Sequence, residues 1–85
     1  MKLAVYSLKR TLFRGEAESL NCRTAAGEIT VLDHHRPLIA DLNSGILKIV
    51  DKSGKEEYIP VNSGFLEVRS GSEVRLLVEE GNHGA

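Results

Sequence analysis

Three residues that could bind a metal or transfer a proton stand in a row within GEITVLDHHRPL, residues 27–38: Asp33, His34 and His35. Zinc accepts carboxylate and imidazole ligands, but it needs about four of them in a tetrahedral array. Adjacent histidines in an extended segment point to opposite faces, and the third histidine, His83, lies near the chain end. We therefore favour a polar loop whose side chains make surface hydrogen bonds, with a small metal-binding protein as the alternative.

Other residues that could act in catalysis or ligand binding also have simpler, structural interpretations. Cys22 shares a predicted strand face with Leu20, which favours a buried, apolar cysteine over a nucleophile. The Ser-Gly-Lys sequence at 53–55 lacks the spacing of a phosphate-binding loop and is typical of a hairpin turn. Glu16 and Glu18 share a strand face, but nothing distinguishes a general acid from a base. The residues therefore predict a protein that is not an enzyme, without cofactor, metal or small-molecule substrate.

Composition narrows the class of protein. The 85 residues carry 11 basic and 12 acidic side chains, so the net charge of −1 gives no basic excess for nucleic acid. One cysteine excludes an internal disulfide framework. The apolar runs are too short for membrane insertion, and the chain start resembles a strand rather than a signal peptide. We expect a single intracellular domain.

Regularly spaced turn signals predict the fold. Turn signals occur at Arg14-Gly15, Ala26-Gly27, Asn43-Ser44-Gly45, Ser53-Gly54, Asn62-Ser63-Gly64 and Ser70-Gly71. The segments between them span about 5–9 residues, as in an antiparallel sandwich. Val74, Leu76 and Val78 show the period of two that a half-buried strand requires. We predict an all-β antiparallel sandwich or flattened barrel of about 8–10 short strands over residues 1–80, with little or no helix, followed by a flexible tail over 81–85.

The segment GILKIV, residues 45–50, breaks this alternation because apolar residues stand on both of its faces. The apolar positions where a solvated face would be polar are Leu47, Ile49, Phe65 and Leu77. Two interpretations remain open. These side chains form an exposed contact surface for another protein, or the two layers of the sandwich share them.

Four segments resemble those of a known protein family, both in their residues and in their order and spacing along the chain. FRGEAESL (13–20), GEITVLDHHRPL (27–38), LNSGILKI (42–49) and NSGFLEV (62–68) resemble the β-sandwich domain of the epsilon subunit of F-type ATP synthase, called delta in mitochondria. The family pattern is F-x-G-E-A, then G-E-[IL]-G-[IL]-L-P-G-H-A-P-L, then G-x-[LI]-x-[IV], then G-G-[FI]-x-E-V. The resemblance covers residues 3–79.

The departures from the pattern concentrate in one loop. The family's Pro-Gly before the histidine is Asp33-His34 here, and its next alanine is Arg36, whereas His35 matches. Elsewhere, the pattern's glycines are replaced at Thr30 and Ser63. We therefore expect the loop backbone over 33–36 to differ from that of other members.

The resemblance implies a non-catalytic rotor subunit that links the gamma subunit to the membrane c ring during proton- or sodium-coupled ATP synthesis. It implies a peripheral location on the cytoplasmic face of a bacterial membrane. The residues that it suggests for the ring-facing end are Glu28, His34, His35 and Arg36, and those for the gamma face are Leu47, Ile49, Phe65 and Leu77. A solvated strand-end Glu28 and a His35 that only orders its turn are the alternatives. A stand-alone adaptor of the same fold is the alternative for the whole chain.

Most family members continue into a C-terminal pair of helices that carries their inhibitory movement. This sequence stops after the last predicted strand, so we expect either a natural short form or a truncated piece. If the inhibitory helices are absent, we expect the subunit to couple rotation to ATP synthesis without inhibiting ATP hydrolysis.

Overall fold

A computed structural model of the chain describes residues 1–81, and all of its regular structure is β. The strands are β1 Lys2–Tyr6, β2 Thr11–Thr24, β3 Gly27–Leu32, β4 Leu38–Leu42, β5 Gly45–Asp51, β6 Glu56–Arg69 and β7 Glu73–Glu80. Within this range no helix has the length and apolar character needed to cross a lipid bilayer. The predicted all-β fold is confirmed, although seven strands replace the predicted eight to ten.

The strands close into a flattened barrel. β1 pairs with β7, β7 with β6, β6 with β5, β5 with β2, and β2 again with β1. β3 adds to β2, and β4 adds to β6. The β1–β7 pairing is parallel, whereas the other pairings are antiparallel. Closure leaves fewer unpaired strand edges and stiffens the domain.

β2 and β6, each of 14 residues, explain why the strand number is lower than predicted. The turns predicted at Arg14-Gly15 and at 62–64 lie inside these two strands. Each strand bends at an irregularity of register instead, between Ala17 and Ser19 in β2 and between Val61 and Ser63 in β6. A bulge lets a strand turn a corner and continue in the second layer without a loop. The first half of each strand therefore belongs to one layer and the second half to the other.

The core lies between the layers. Its buried side chains include Leu3, Val5, Leu20, Cys22, Val31, Leu47, Ile49, Leu66, Leu76 and Val78. Leu47 and Ile49 are 1% and 0% exposed because β5 lies between β2 and β6 and turns these two residues inward. The interpretation that the layers share them is correct, and they form no contact surface. Each contributes on the order of 1.5–3 kcal/mol by its burial.

The end of the chain is described only in part. Gly81, the first residue of the predicted tail, donates a 2.8 Å hydrogen bond from its N–H to the carbonyl oxygen of Pro60. Residues 82–85, the remainder of the predicted tail, lie outside the described residues, as does His83.

Gly64 lies on β6 directly opposite Val78 of β7. A Cβ atom added at this position would stand 2.4 Å from the carbonyl oxygen of Leu77 and 2.9 Å from the Cα of Val78. Both atoms belong to the backbone, so neither can move aside cheaply. The glycine therefore permits the close strand approach at this corner of the barrel.

We expect Gly64→Ala to lower the free energy of unfolding by about 1–3 kcal/mol because the methyl group forces β6 away from β7. Gly45→Ala is the matched control, since a Cβ there meets only the Arg23 side chain, at 3.5 Å. Urea unfolding followed by circular dichroism measures both variants. Equal stability of the two would show that the strands accommodate the methyl group.

Candidate functional site

The loop over residues 33–37, here called the histidine loop, begins at an ion pair with the start of the chain. The Met1 ammonium donates to Asp33 Oδ1 at 2.6 Å and to the Ala17 carbonyl oxygen at 3.0 Å. The ammonium is buried, whereas the Asp33 side chain is half-exposed. The hydrogen bond from this ammonium lowers the pKa of Asp33 below its ordinary value. Asp33 thus joins the histidine loop to β1 and to the corner of β2.

His34 occupies a backbone conformation that suits glycine. Its φ is +63°, in the left-handed region that costs an L-residue roughly 1–2 kcal/mol. Its N–H donates a 3.2 Å hydrogen bond to Oγ of Ser72 in the β6–β7 turn. The family pattern has glycine at this position, so the left-handed φ is the conformation that glycine would adopt most readily.

His35 orders its own loop. Its Nδ1 lies 2.7 Å from the carbonyl oxygen of Arg36, and because a carbonyl only accepts, Nδ1 carries the proton in this contact. The Asp33 carboxylate is engaged by Met1. Over residues 1–81 no three histidine, cysteine or acidic side chains are grouped so as to hold a metal ion. The arrangement therefore gives no support to the metal-binding alternative.

Glu28 lies at the other end of β3 from the histidine loop. It pairs with Arg23 across the β2–β3 hairpin. Thr24 closes this hairpin, since its Oγ1 donates to the Gly27 carbonyl oxygen at 2.7 Å and accepts from the Ala26 N–H at 3.2 Å. We call this region the hairpin end.

The five residue steps from Glu28 to Asp33 correspond to roughly 16 Å of extended chain. The predicted ring-facing residues therefore do not come together. Glu28 is at the hairpin end, whereas His34, His35 and Arg36 lie in the histidine loop at the opposite end.

An exposed apolar patch, formed by Leu8, Phe65 and Leu77, lies on the outer face of β6 and β7. Phe65 and Leu77 are direct cross-strand partners and remain 58% and 48% exposed. Leu8, in the β1–β2 loop, is 96% exposed and lines the same shallow groove of about 500 Å³. The alternation pattern does not reveal Leu8, and its one signal in the sequence is a leucine in a segment too short to be a strand. This patch has the character of a contact surface.

The outer face of the other layer is different. Its large exposed apolar side chains are Leu32, Ile46 and Tyr58. The register places Asn21 and Lys48 in the row between β3 and Tyr58, so polar residues separate Tyr58 from Leu32 at opposite edges of the layer. The Tyr58 hydroxyl also donates to Glu56. Leu32 is therefore an isolated apolar residue that needs no binding partner, whereas Ile46 lies opposite Pro60 and diagonally next to Tyr58 on the same face.

Cys22 is fully buried in the core, as predicted. Burial raises the pKa of its thiol to about 11, because the apolar surroundings disfavour the thiolate. The thiolate is the nucleophilic form, so this cysteine is a poor nucleophile in the folded chain.

Comparison with known proteins places the chain among ATP synthase subunits. Residues 1–83 match the family described as "ATP synthase, Delta/Epsilon chain, beta-sandwich domain". The ATP synthase epsilon chain of Brevibacillus brevis is 34% identical over 79 residues, covering 93% of this chain and 59% of that protein. The Syntrophomonas wolfei epsilon chain is 31% identical over 83 residues, covering 98% and 60%. The chain thus spans about three fifths of the length of these relatives.

Solved structures show the same fold. A chain in the Euglena gracilis mitochondrial ATP synthase structure of OSCP, F1 and c-ring superposes with a TM-score of 0.88 at 25% identity, covering 94% of this chain and 51% of that one. A chain in the Tetrahymena thermophila structure of the central stalk and c-ring gives a TM-score of 0.80 at 12% identity, covering 94% and 63%. At that lower identity, the second likeness concerns the fold alone.

We expect His34→Gly to raise the free energy of unfolding by about 0.5–1 kcal/mol, because relief of the left-handed strain exceeds the extra flexibility of glycine. His34→Val should destabilise, since a β-branched residue tolerates positive φ poorly. His34→Asn, which tolerates this region, is the control. Urea midpoints rank the three variants, and a glycine variant less stable than the wild type would contradict the strain argument.

The Asp33 ion pair predicts a contribution to stability that disappears in acid. The folded-state pKa of Asp33 is lowered, so its contribution is complete above the unfolded-state value of about 4 and is lost as pH falls through the folded-state pKa. Asp33→Asn should therefore be less stable than the wild type at about pH 7, and the difference should shrink towards about pH 2.

Asp41→Asn is the control for Asp33→Asn, since Asp41 is an exposed carboxylate outside the ion pairs of residues 1–81. Urea midpoints across the pH range measure all three proteins. A wild-type advantage over Asp33→Asn that does not change with pH would show that the carboxylate charge is not its source.

Proposed function

The chain belongs to the ATP synthase delta/epsilon family, and we propose that it is a non-catalytic stalk subunit of an F-type ATP synthase. In this role it clamps the gamma subunit to the membrane c ring, so that rotation driven by proton or sodium flow reaches the catalytic head. It is a peripheral subunit, held at the cytoplasmic face of the membrane by its partners. The match to the family over almost the whole chain carries this proposal.

The fold suits a part that transmits force. The barrel is closed by hydrogen bonds, and β2 and β6 each continue from one layer into the other. A load on one layer therefore passes along the covalent backbone as well as through side-chain packing. Close-packed interiors of low compressibility transmit strain well.

The surfaces divide between two partners. The apolar patch of Leu8, Phe65 and Leu77 faces gamma, because burial of exposed apolar area drives stable association. Glu28 at the hairpin end faces the c ring, where its carboxylate pairs with a basic loop residue. His34 and Arg36 lie in the histidine loop at the other end of β3, and His35 orders that loop.

The alternatives have less support. A small metal-binding protein would use Asp33, which is paired with Met1, and His35, which is bonded to Arg36. The hypothesis of a stand-alone adaptor of the same fold does not explain why residues 1–83 match the ATP synthase family.

The proposal predicts separable losses of binding. Leu77→Asp should weaken binding to the isolated gamma subunit from the same source at least tenfold, because a charge enters the apolar patch. Ile46→Asp is the matched control, since Ile46 is equally apolar and exposed but lies on the other layer. Glu28→Lys should weaken binding to the c ring and leave gamma binding unchanged.

Pull-down and calorimetric titration measure these affinities. Failure of the wild-type chain to bind gamma or the c ring at micromolar concentration would overturn the proposal. Equal loss in Leu77→Asp and Ile46→Asp would move the gamma contact away from the patch.

A further inference from the structure

A groove of about 390 Å³ lies over strand β1, on the same outer face as the apolar patch. Its centre is Ala4, whose register partners are Arg14 on β2 and Arg75 on β7. Leu3 and Val5 point into the core, so Ala4 points outward. Neighbouring strands are about 4.8 Å apart, which places the two arginine Cα atoms roughly 10 Å apart with only a methyl group between them.

The groove is basic although the chain is not. Its charged lining residues are Lys2, Arg14, Arg69 and Arg75 on the cationic side, and Glu16 and Glu73 on the anionic side. The lining therefore carries a net charge of +2, whereas the whole chain carries −1. This local excess attracts anions against the sign of the protein's overall charge.

The acidic residues around the groove have other partners. Arg69 lies 3.9 Å from Glu67 and 4.0 Å from Glu73, and Glu16 lies 3.9 Å from the Met1 ammonium. Within residues 1–81, no carboxylate stands within salt-bridge distance of Arg14 or Arg75. Two guanidinium groups thus flank an open space, and the acidic register partner of Arg75, Glu67, turns its carboxylate to Arg69 at 3.9 Å.

The basic groove is continuous with the apolar patch. Two residues along β1 from Ala4, Tyr6 pairs with Leu77, which in turn pairs with Phe65. The outward residues of β1, β7 and β6 therefore run from paired arginines to an aromatic and aliphatic row. Arginine beside aromatic side chains is the composition enriched in protein interfaces and in their hot spots.

We propose that this face docks a protein surface that places a carboxylate between Arg14 and Arg75 and apolar side chains over Leu77 and Phe65. A guanidinium group binds a carboxylate through two parallel hydrogen bonds, and two such groups can share one acidic side chain or bind a neighbouring pair. A free phosphate would satisfy the arginines but leave the adjoining apolar row exposed. The inference rests on the proposed function, in which the docking surface belongs to the gamma subunit.

Charge reversal of the arginines tests the inference with gamma as the probe. Arg14→Glu and Arg75→Glu should each weaken binding at least tenfold, and raising the salt concentration should weaken the wild type more than either variant. Lys55→Glu is the matched control, since it changes the net charge equally at an exposed turn away from the groove. Equal urea midpoints establish that the variants fold.

A second experiment identifies the acidic residue of gamma that pairs with the arginines. Acidic residues of gamma are changed to lysine one at a time, and one such change should restore tight binding to Arg14→Glu or Arg75→Glu while weakening the wild type. This rescue requires direct charge pairing, which a merely structural role of the arginines would not produce.

The outcomes distinguish this inference from the proposed function. If Leu77→Asp weakens gamma binding but both arginine variants bind like Lys55→Glu, the carboxylate contact is wrong and the stalk role stands. If inorganic phosphate binds at Ala4 and its neighbours in amide NMR spectra and leaves gamma affinity unchanged, the groove is a free-anion site and the inference falls. If the wild-type chain does not bind gamma, both proposals fail together.

Discussion

Strand β1 is only five residues long, yet both of its edges carry backbone hydrogen bonds, to β2 on one side and to β7 on the other. Without it, the sheet would open between β2 and β7, and β7 would expose an unpaired edge. The strand is fixed at its start, where the buried Met1 ammonium binds Asp33 and the Ala17 carbonyl oxygen. Inward, its Leu3 and Val5 complete the core, and outward its Ala4 and Tyr6 shape the face that we assign to a partner. Closure, packing and binding thus all depend on one short strand.

Much of this fold is visible in the sequence, because its main signals are local. The alternation of Val74, Leu76 and Val78 predicts β7 and its buried face correctly. The turn predicted at 62–64 is wrong because glycine serves equally in a turn and at a bend within a strand, and the turn at Arg14-Gly15 is wrong because Gly15 pairs regularly with Leu3 inside β2. A bend is distinguished from a turn only by the strand that pairs beyond it, and that strand is distant in sequence. For the same reason, nothing in GILKIV indicates that Leu47 and Ile49 face the core while Ile46 is exposed.

The candidate surfaces were predicted less well than the fold. Glu28 and the histidine loop are neighbours in sequence, but β3 runs between them and places them at opposite ends of the barrel. Leu8 escaped notice because an isolated leucine in a loop has no periodic context. Arg14 and Arg75 come together only through their shared partner Ala4, a pairing that depends on the parallel β1–β7 register. Sites built from side chains on three strands become visible only when register is known.

The buried cysteine gives this barrel an internal reporter. Cys22 is the single thiol of the chain, and it lies on β2 between β3 and β5, where no reagent reaches it while the strands stay paired. Labelling of this thiol must then wait for the strands around it to separate, so the labelling rate at high reagent concentration measures how often the barrel opens. The same reaction, followed while the subunit turns within a working complex, would show whether mechanical load hastens that opening.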